Sequence, residues 1–183
     1  MKNIPGIESS ALVVVDLQTK LTGVMDRYPA VQERARIMLQ GAAALGLDVI
    51  ATEQYPSGLG PTVPEISELL PPGCVPIAKT GFSVFAEPAF RSALKAKPKT
   101  TLILLGIETH VCLLQSVYDA LNDGYQVIVC ADAVTSRRAE NRELALAAMR
   151  AAGADILPVE SILFLLLRDA RNPAFKTISK LIR

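Results

Sequence analysis

Three side chains able to do nucleophilic or acid–base work stand at the ends of short apolar runs. Asp16 closes the run Ala11–Val15. Lys79 follows Pro76-Ile77-Ala78. Cys112 ends the stretch Gly106-Ile107-Glu108-Thr109-His110-Val111-Cys112, just beyond the run Thr101–Leu105. Cys112 falls where a strand gives way to a helix. Free N–H groups at a helix start carry positive partial charge, lower a thiol pKa and can hold a developing oxyanion. The position therefore predicts a thiolate-forming nucleophile. An aspartate straight after a buried strand is costly unless it is paired or functional. A partly buried lysine needs an anion. Together the three make a nucleophile, a base and a cation that holds both. Each also has a plainer reading: Asp16 as a loop or cap residue, Lys79 as a side chain reaching solvent, Cys112 as a small residue in a first helical turn.

The remaining reactive residues fit less well. His110 is the one histidine, and residues at i and i+2 of a helix do not face each other, so it is not the expected base for Cys112. Cys130 reads as a buried residue near a strand end, and Cys74 as an incidental one in a Pro-rich stretch. Three widely spaced cysteines and one histidine argue against both a disulfide framework and a zinc site.

The elements that must position these residues alternate along the chain. Strands are expected at 11–15, 47–52, 75–78, 101–105, 126–130 and 155–159. Helices are expected at 29–45, where Val31, Ala35, Met38 and Leu39 share a face, at 110–122, at 139–152 and from about 160. Gly124 and Gly153 close two of them. Strands apolar on both faces belong to a parallel sheet covered on both sides, and the alternation predicts a doubly wound, Rossmann-like α/β three-layer sandwich. Ligands in such folds sit at the carboxyl ends of the strands. There stand Asp16, Thr52-Glu53, Lys79, the 106–112 stretch and Asp132. Two shaped loops, 55–64 and 80–88, fall at the same ends. No linker divides the chain, so residues 1–183 are expected to form a single domain.

Composition narrows the function further. Half of the 183 residues are hydrophobic, a fifth are charged, and the net charge is +1. Neither nucleic acid nor an anionic membrane is an expected partner. Trp is absent, which also argues against a base-stacking surface. The apolar stretches 100–106 and 161–167 fall far short of the ~20 residues a membrane span needs. Residues 1–10 lack the apolar core of a secretory signal, so a cytoplasmic location is expected.

The motifs also resemble a known family. Val13-Val14-Val15-Asp16-Leu17-Gln18, Lys79-Thr80-Gly81-Phe82-Ser83-Val84-Phe85 and the 106–112 stretch are similar, in order and spacing, to the isochorismatase-like cysteine hydrolases. Thr52-Glu53-Gln54-Tyr55-Pro56 with 58–65 looks like the branch of the isochorismatase domain-containing proteins. The resemblance spans about 11–158. It implies a six-stranded parallel sheet and an Asp16–Lys79–Cys112 triad. It also implies a non-proline cis peptide between Ile107 and Glu108, an oxyanion hole from the N–H groups of Glu108 and Cys112, and a homo-oligomer, dimer or larger. Nicotinamidases of the same superfamily bind a metal through an Asp-x-His motif plus further histidines. Thr52-Glu53-Gln54-Tyr55 stands there instead, so no metal and no cofactor are expected. Candidate pocket residues are Gln18, Tyr55, Phe82, Phe85 and His110, with core packing an equal reading for the two Phe. The expected activity is metal-independent hydrolysis of a small amide or related carbonyl compound through a thioester acyl-enzyme. The alternative is a non-catalytic small-molecule-binding or scaffold protein that keeps the fold. Residues 161–167, strongly apolar, read as a core helix or an oligomer interface.

Overall fold

The computed structural model describes residues 4–96 and 99–183. Among them, six strands form one all-parallel sheet: β1 Ser10–Val15, β2 Asp48–Gln54, β3 Ile77–Lys79, β4 Thr101–Ile107, β5 Gln126–Thr135 and β6 Asp155–Leu157. Their order is β3-β2-β1-β4-β5-β6, the doubly wound arrangement that reverses direction at β1. Every residue of β1 and β4 is buried. These are the central strands, covered on both faces, which is why their sequences show no polar alternation.

Helices cover the two faces: α1 Thr19–Thr22, α2 Tyr28–Leu45, α3 Pro56–Leu59, α4 Pro64–Ser67, α5 Pro88–Lys95, α6 Leu114–Asn122, α7 Ala139–Ala152, α8 Val159–Leu167 and α9 Phe175–Leu181. The pleat of β1 divides the core. Leu12 and Val14 pack with Met38, Leu39, Leu163 and Ile178, from α2, α8 and α9. Ala11, Val13 and Val15 pack with Phe90, Val117 and Met149, from α5, α6 and α7. No helix among the described residues is long and apolar enough to cross a membrane.

The strand ends depart from the sequence expectation in ways that matter for the site. β2 continues through Glu53 and Gln54, because Gln54 pairs with Lys79, the last residue of β3. Val75, expected in β3, lies outside it and is exposed. β5 runs on to Thr135, so Asp132 lies inside the strand and not after it. Val159 opens α8 and does not end β6. The expected 110–122 helix begins as a wider π turn, Thr109–Leu113, before α6. Most of α8 is core: Val159, Ile162, Leu163, Leu166 and Leu167 are buried, leaving Phe164 partly exposed.

One glycine decides how the two central strands meet. Gly106 has φ +125° beside a register shift in β4, opposite Val15. A Cβ there would lie 2.0 Å from the Val15 carbonyl oxygen, so only glycine permits this approach. Two backbones are thereby pressed together at the switch point, one residue before Asp16 and six before Cys112.

Candidate active site

Asp16 leaves β1 with φ +54°, a left-handed conformation that a non-glycine residue rarely adopts. Its N–H donates to the Thr52 carbonyl at 3.2 Å, which keeps it registered on β2 while the side chain stays wholly buried. Thr52 Oγ1 donates to Asp16 Oδ1 at 2.8 Å. The other oxygen, Oδ2, stands 2.7 Å from Lys79 Nζ. It meets the ammonium as an ion-pair partner and has no hydrogen-bond donor aligned on it. Neither side chain of this pair is exposed to solvent.

The Lys79 ammonium has three protons and three further oxygen neighbours. It donates to Gln54 Oε1 at 2.6 Å, to the Phe82 carbonyl at 3.0 Å and to the Gly81 carbonyl at 3.3 Å. These acceptors and Asp16 fix the ammonium in place within the buried site.

Cys112 completes the group. Its thiol is buried and within hydrogen-bonding reach of both Asp16 and Lys79. Burial first, then the Asp16 charge, push it up to about 12, against a smaller lowering by Lys79. The standing thiolate expected from the helix start is therefore corrected. Loss of water and the facing carboxylate raise the thiol, which favours the protonated sulfur.

The segment before Cys112 is tied down by backbone and side chain. The Ile107–Glu108 peptide is cis. The Glu108 carbonyl accepts from Val111 N at 3.1 Å and Leu113 N at 3.3 Å, flanking Cys112. The Glu108 carboxylate accepts from both the main-chain N and Nε of Arg137, each at 3.1 Å. Ser116 Oγ donates to the Cys112 carbonyl at 2.6 Å and accepts from Val84 N at 3.0 Å. That hydroxyl joins the thiol-bearing turn to the 81–86 segment whose carbonyls hold Lys79.

The expected pocket residues take varied places. Gln18 is fully buried and is a clasp: Nε2 donates to the carbonyls of Gln54 and Gly60, and Oε1 accepts from Gln54 N. Tyr55 and Phe82 are exposed beside the Lys79 main chain and ammonium: Tyr55 N donates to the Lys79 carbonyl, and the Phe82 carbonyl accepts from Nζ. Phe85 is buried in the core and also lines a small cavity with Arg91 and Tyr125. Its ring packs edge-on against Phe90 at 5.2 Å, with the Arg91 guanidinium over it. His110 is held by Ser136 Oγ at 2.9 Å and Asn141 at 3.4 Å, groups from the turn after β5 and from α7. Asp132, the other aspartate expected at a strand end, bonds Val159 N at the start of α8.

Thr52, Gln54 and Ser116 were not singled out individually by sequence. Their roles depend on strand register and on a helix-to-loop contact, which a linear pattern does not carry.

Glu53 is engaged within the protein. Its Oε1 already accepts from Thr62 N and Oγ1, both at 2.7 Å, pinning the 55–64 loop. Among the described residues no group of three or more His, Cys, Asp or Glu gathers as a metal site. A separate cavity of ≈ 250 Å³ lies between α2, β5 and α7, lined in part by Arg34, Asp132 and Arg142. None of its lining residues belongs to the Asp16–Lys79–Cys112 group.

The molecule is thus a doubly wound α/β protein with a thiol, a carboxylate and an ammonium gathered at its topological switch point. The isochorismatase domain model matches residues 10–161. Isochorismatase domain-containing protein 2A of Mus musculus is 42% identical over 177 residues, 96% of this chain and 84% of its own length. Among solved structures, the MAR1 ribonuclease of Caenorhabditis elegans superposes with TM-score 0.93 at 38% identity, covering 97% of this chain and 91% of that one. Two YcaC proteins follow. That of Pseudomonas aeruginosa, solved with hexane-2,5-diol and covalent acrylamide, gives 0.92 at 29% identity, covering 99% and 92%. The octameric hydrolase of unknown specificity from Escherichia coli gives 0.89 at 27%, covering 95% and 88%. This chain belongs to the isochorismatase family.

Proposed function

We propose that the protein is a metal-independent cysteine hydrolase of a small amide or related carbonyl compound. One observation carries this reading: a fully buried Asp16–Lys79 ion pair with the Cys112 thiol in reach of both. A resting thiol needs a base at the moment of attack. Asp16, in reach of the thiol, takes that proton. The sulfur then bonds to the carbonyl carbon, and the oxyanion rests on the N–H groups of Glu108 and Cys112. Collapse breaks the C–N bond, and Asp16 returns the proton to the leaving amine. Water, deprotonated by Asp16, attacks the thioester. Its cleavage releases the acid and restores the thiol. Lys79 stays paired with Asp16 and helps orient it through these steps.

The covalent acrylamide in the P. aeruginosa relative supports a reactive group able to meet a small amide-bearing molecule. The octameric E. coli relative supports a homo-oligomeric state for this chain as well. The ribonuclease name of the C. elegans relative points to a phosphodiester instead. The buried site favours acyl transfer, because the Lys79 ammonium is already engaged by four oxygens and is poorly placed to neutralise a phosphate.

Turnover of a panel of small primary amides, read as released ammonia, tests the proposal. Wild type is expected to turn over at least one member and Cys112→Ala none. Activity that survives in Cys112→Ala, or cleavage of RNA in place of every amide, overturns it.

A further inference from the structure

Among the described residues, Gln54 supplies the one side-chain acceptor of the Lys79 ammonium other than Asp16, and both its side chain and its main chain are held in place. Its side-chain Oε1 accepts from Lys79 Nζ at 2.6 Å, shorter than the 2.7 Å separating that nitrogen from Asp16. Its Nε2 donates to the Thr80 carbonyl at 2.7 Å, which leaves Oε1 as the atom facing the ammonium. Its main chain is gripped on both sides by buried Gln18, through Gln54 N at 2.7 Å and Gln54 O at 3.0 Å. Thus a side chain from the segment after β1 holds a residue of β2, which holds the ammonium of β3, which faces the carboxylate at the end of β1.

Resting on the cysteine-hydrolase reading, we infer that Gln54 is a positioning residue that, through Lys79, sets the proton affinity of the Cys112 thiol. The amide oxygen satisfies one ammonium proton without adding charge. Asp16 is then the single anion paired with Lys79, and the cation's remaining field falls on Asp16 and the sulfur. The other ionisable groups near these elements are otherwise engaged. Glu53 is bound to Thr62, Glu87 bonds Thr80 N, and Glu108 bonds Arg137.

Two substitutions separate this role from simple packing. Gln54→Glu keeps an oxygen near Nζ but adds a second anion that draws on the one cation. Gln54→Met keeps the length and removes the acceptor, so the buried ammonium is less firmly held beside Asp16 and the sulfur. Both raise the thiol's proton affinity. The readout is the rate of iodoacetamide labelling of Cys112, resolved by peptide mass spectrometry, across a pH series, with thermal melting as the check on folding. Labelling at a fixed pH is expected to slow by about 10-fold in Gln54→Glu, the equivalent of one pKa unit, and by less in Gln54→Met. Variants that melt and label as wild type overturn the inference. So does a lower melting temperature with unchanged labelling, which is the mark of packing alone. Labelling needs no substrate. Amide turnover that persists in Cys112→Ala would sink the hydrolase reading, whereas unchanged labelling in the Gln54 variants sinks only this one.

Discussion

Asp16 and Asp132 look alike in the sequence and end in different circumstances. Each follows an apolar strand run, and each has a cation beside it. Asp16 stands 2.7 Å from Lys79 with both side chains wholly buried. Asp132 stands 3.7 Å from Arg34, with 31% and 43% of the two side chains exposed. Its second oxygen supplies a partner for Val159 N, so it secures the start of α8. The difference is made by what surrounds each carboxylate. Asp16 emerges between β2 and β4, beside the end of β3 that carries Lys79 and the turn that carries Cys112. Asp132 emerges toward β6 and α2, where a cavity admits solvent. An aspartate after a strand is therefore only a candidate. Burial of its charge with a second reactive group is what makes it a site.

Breaking each pair should expose that contrast. Lys79→Met strands a buried carboxylate and is expected to cost about 3–5 kcal/mol of stability, read by urea denaturation. Asp132→Asn, which breaks only a solvated pair, should stay within about 1 kcal/mol. Equal costs for the two would erase the distinction drawn here.

The next effect is on chemistry. Asp16→Asn should lower amide turnover by about 100-fold or more, as expected when a general base is lost. It should also speed iodoacetamide labelling of Cys112, because the Asp16 charge is among the causes that raise the thiol. Turnover and thiol reactivity then move in opposite directions. A helix-capping aspartate would produce neither change.

Asp132→Ala removes the carboxylate that meets Val159 N and should cost about 1 kcal/mol, with Cys112 labelling unchanged. A change in labelling would mean the two regions are coupled.

The smallest effect is a slope in alkali. The folded thiol of Cys112 is held above its ordinary 9.0, up to about 12. The unfolded chain thus loses that proton first as pH rises. Stability present below 9.0 is lost as pH climbs toward the folded value. Tyr28, raised mainly by burial and then by Glu65, acts in the same sense. Cys112→Ala should have a shallower alkaline decline in denaturation midpoint than wild type. Parallel curves would mean that Cys112 is not held as a buried thiol.

Much of the architecture was legible along the chain. The uninterrupted apolar runs of β1 and β4 declared a sheet covered on both faces. Gly124 and Gly153 marked the ends of α6 and α7, and both adopt positive φ. The ends of β2, β3 and β5 were not legible, since pairing partners decide where a strand stops and polar residues such as Gln54 join when a neighbour is in register. The sequence left Phe85 open between two roles for a similar reason: an aromatic near a strand end serves a pocket or the core depending on what lies behind it, here Phe90 and Tyr125.

By itself the sequence determined the order of the elements, the parallel sheet and the identity of a thiol, a carboxylate and an ammonium at strand ends. Those follow from local hydrophobic pattern and residue type. Only the tertiary structure decided that Asp16 and not Asp132 is sealed from water, that Cys112 rests as a thiol, and that Thr52, Gln54 and Ser116 hold the group together. Each of these depends on which distant segments share a dry space, because the free energy of a charge is set by its surroundings and not by its place in the chain.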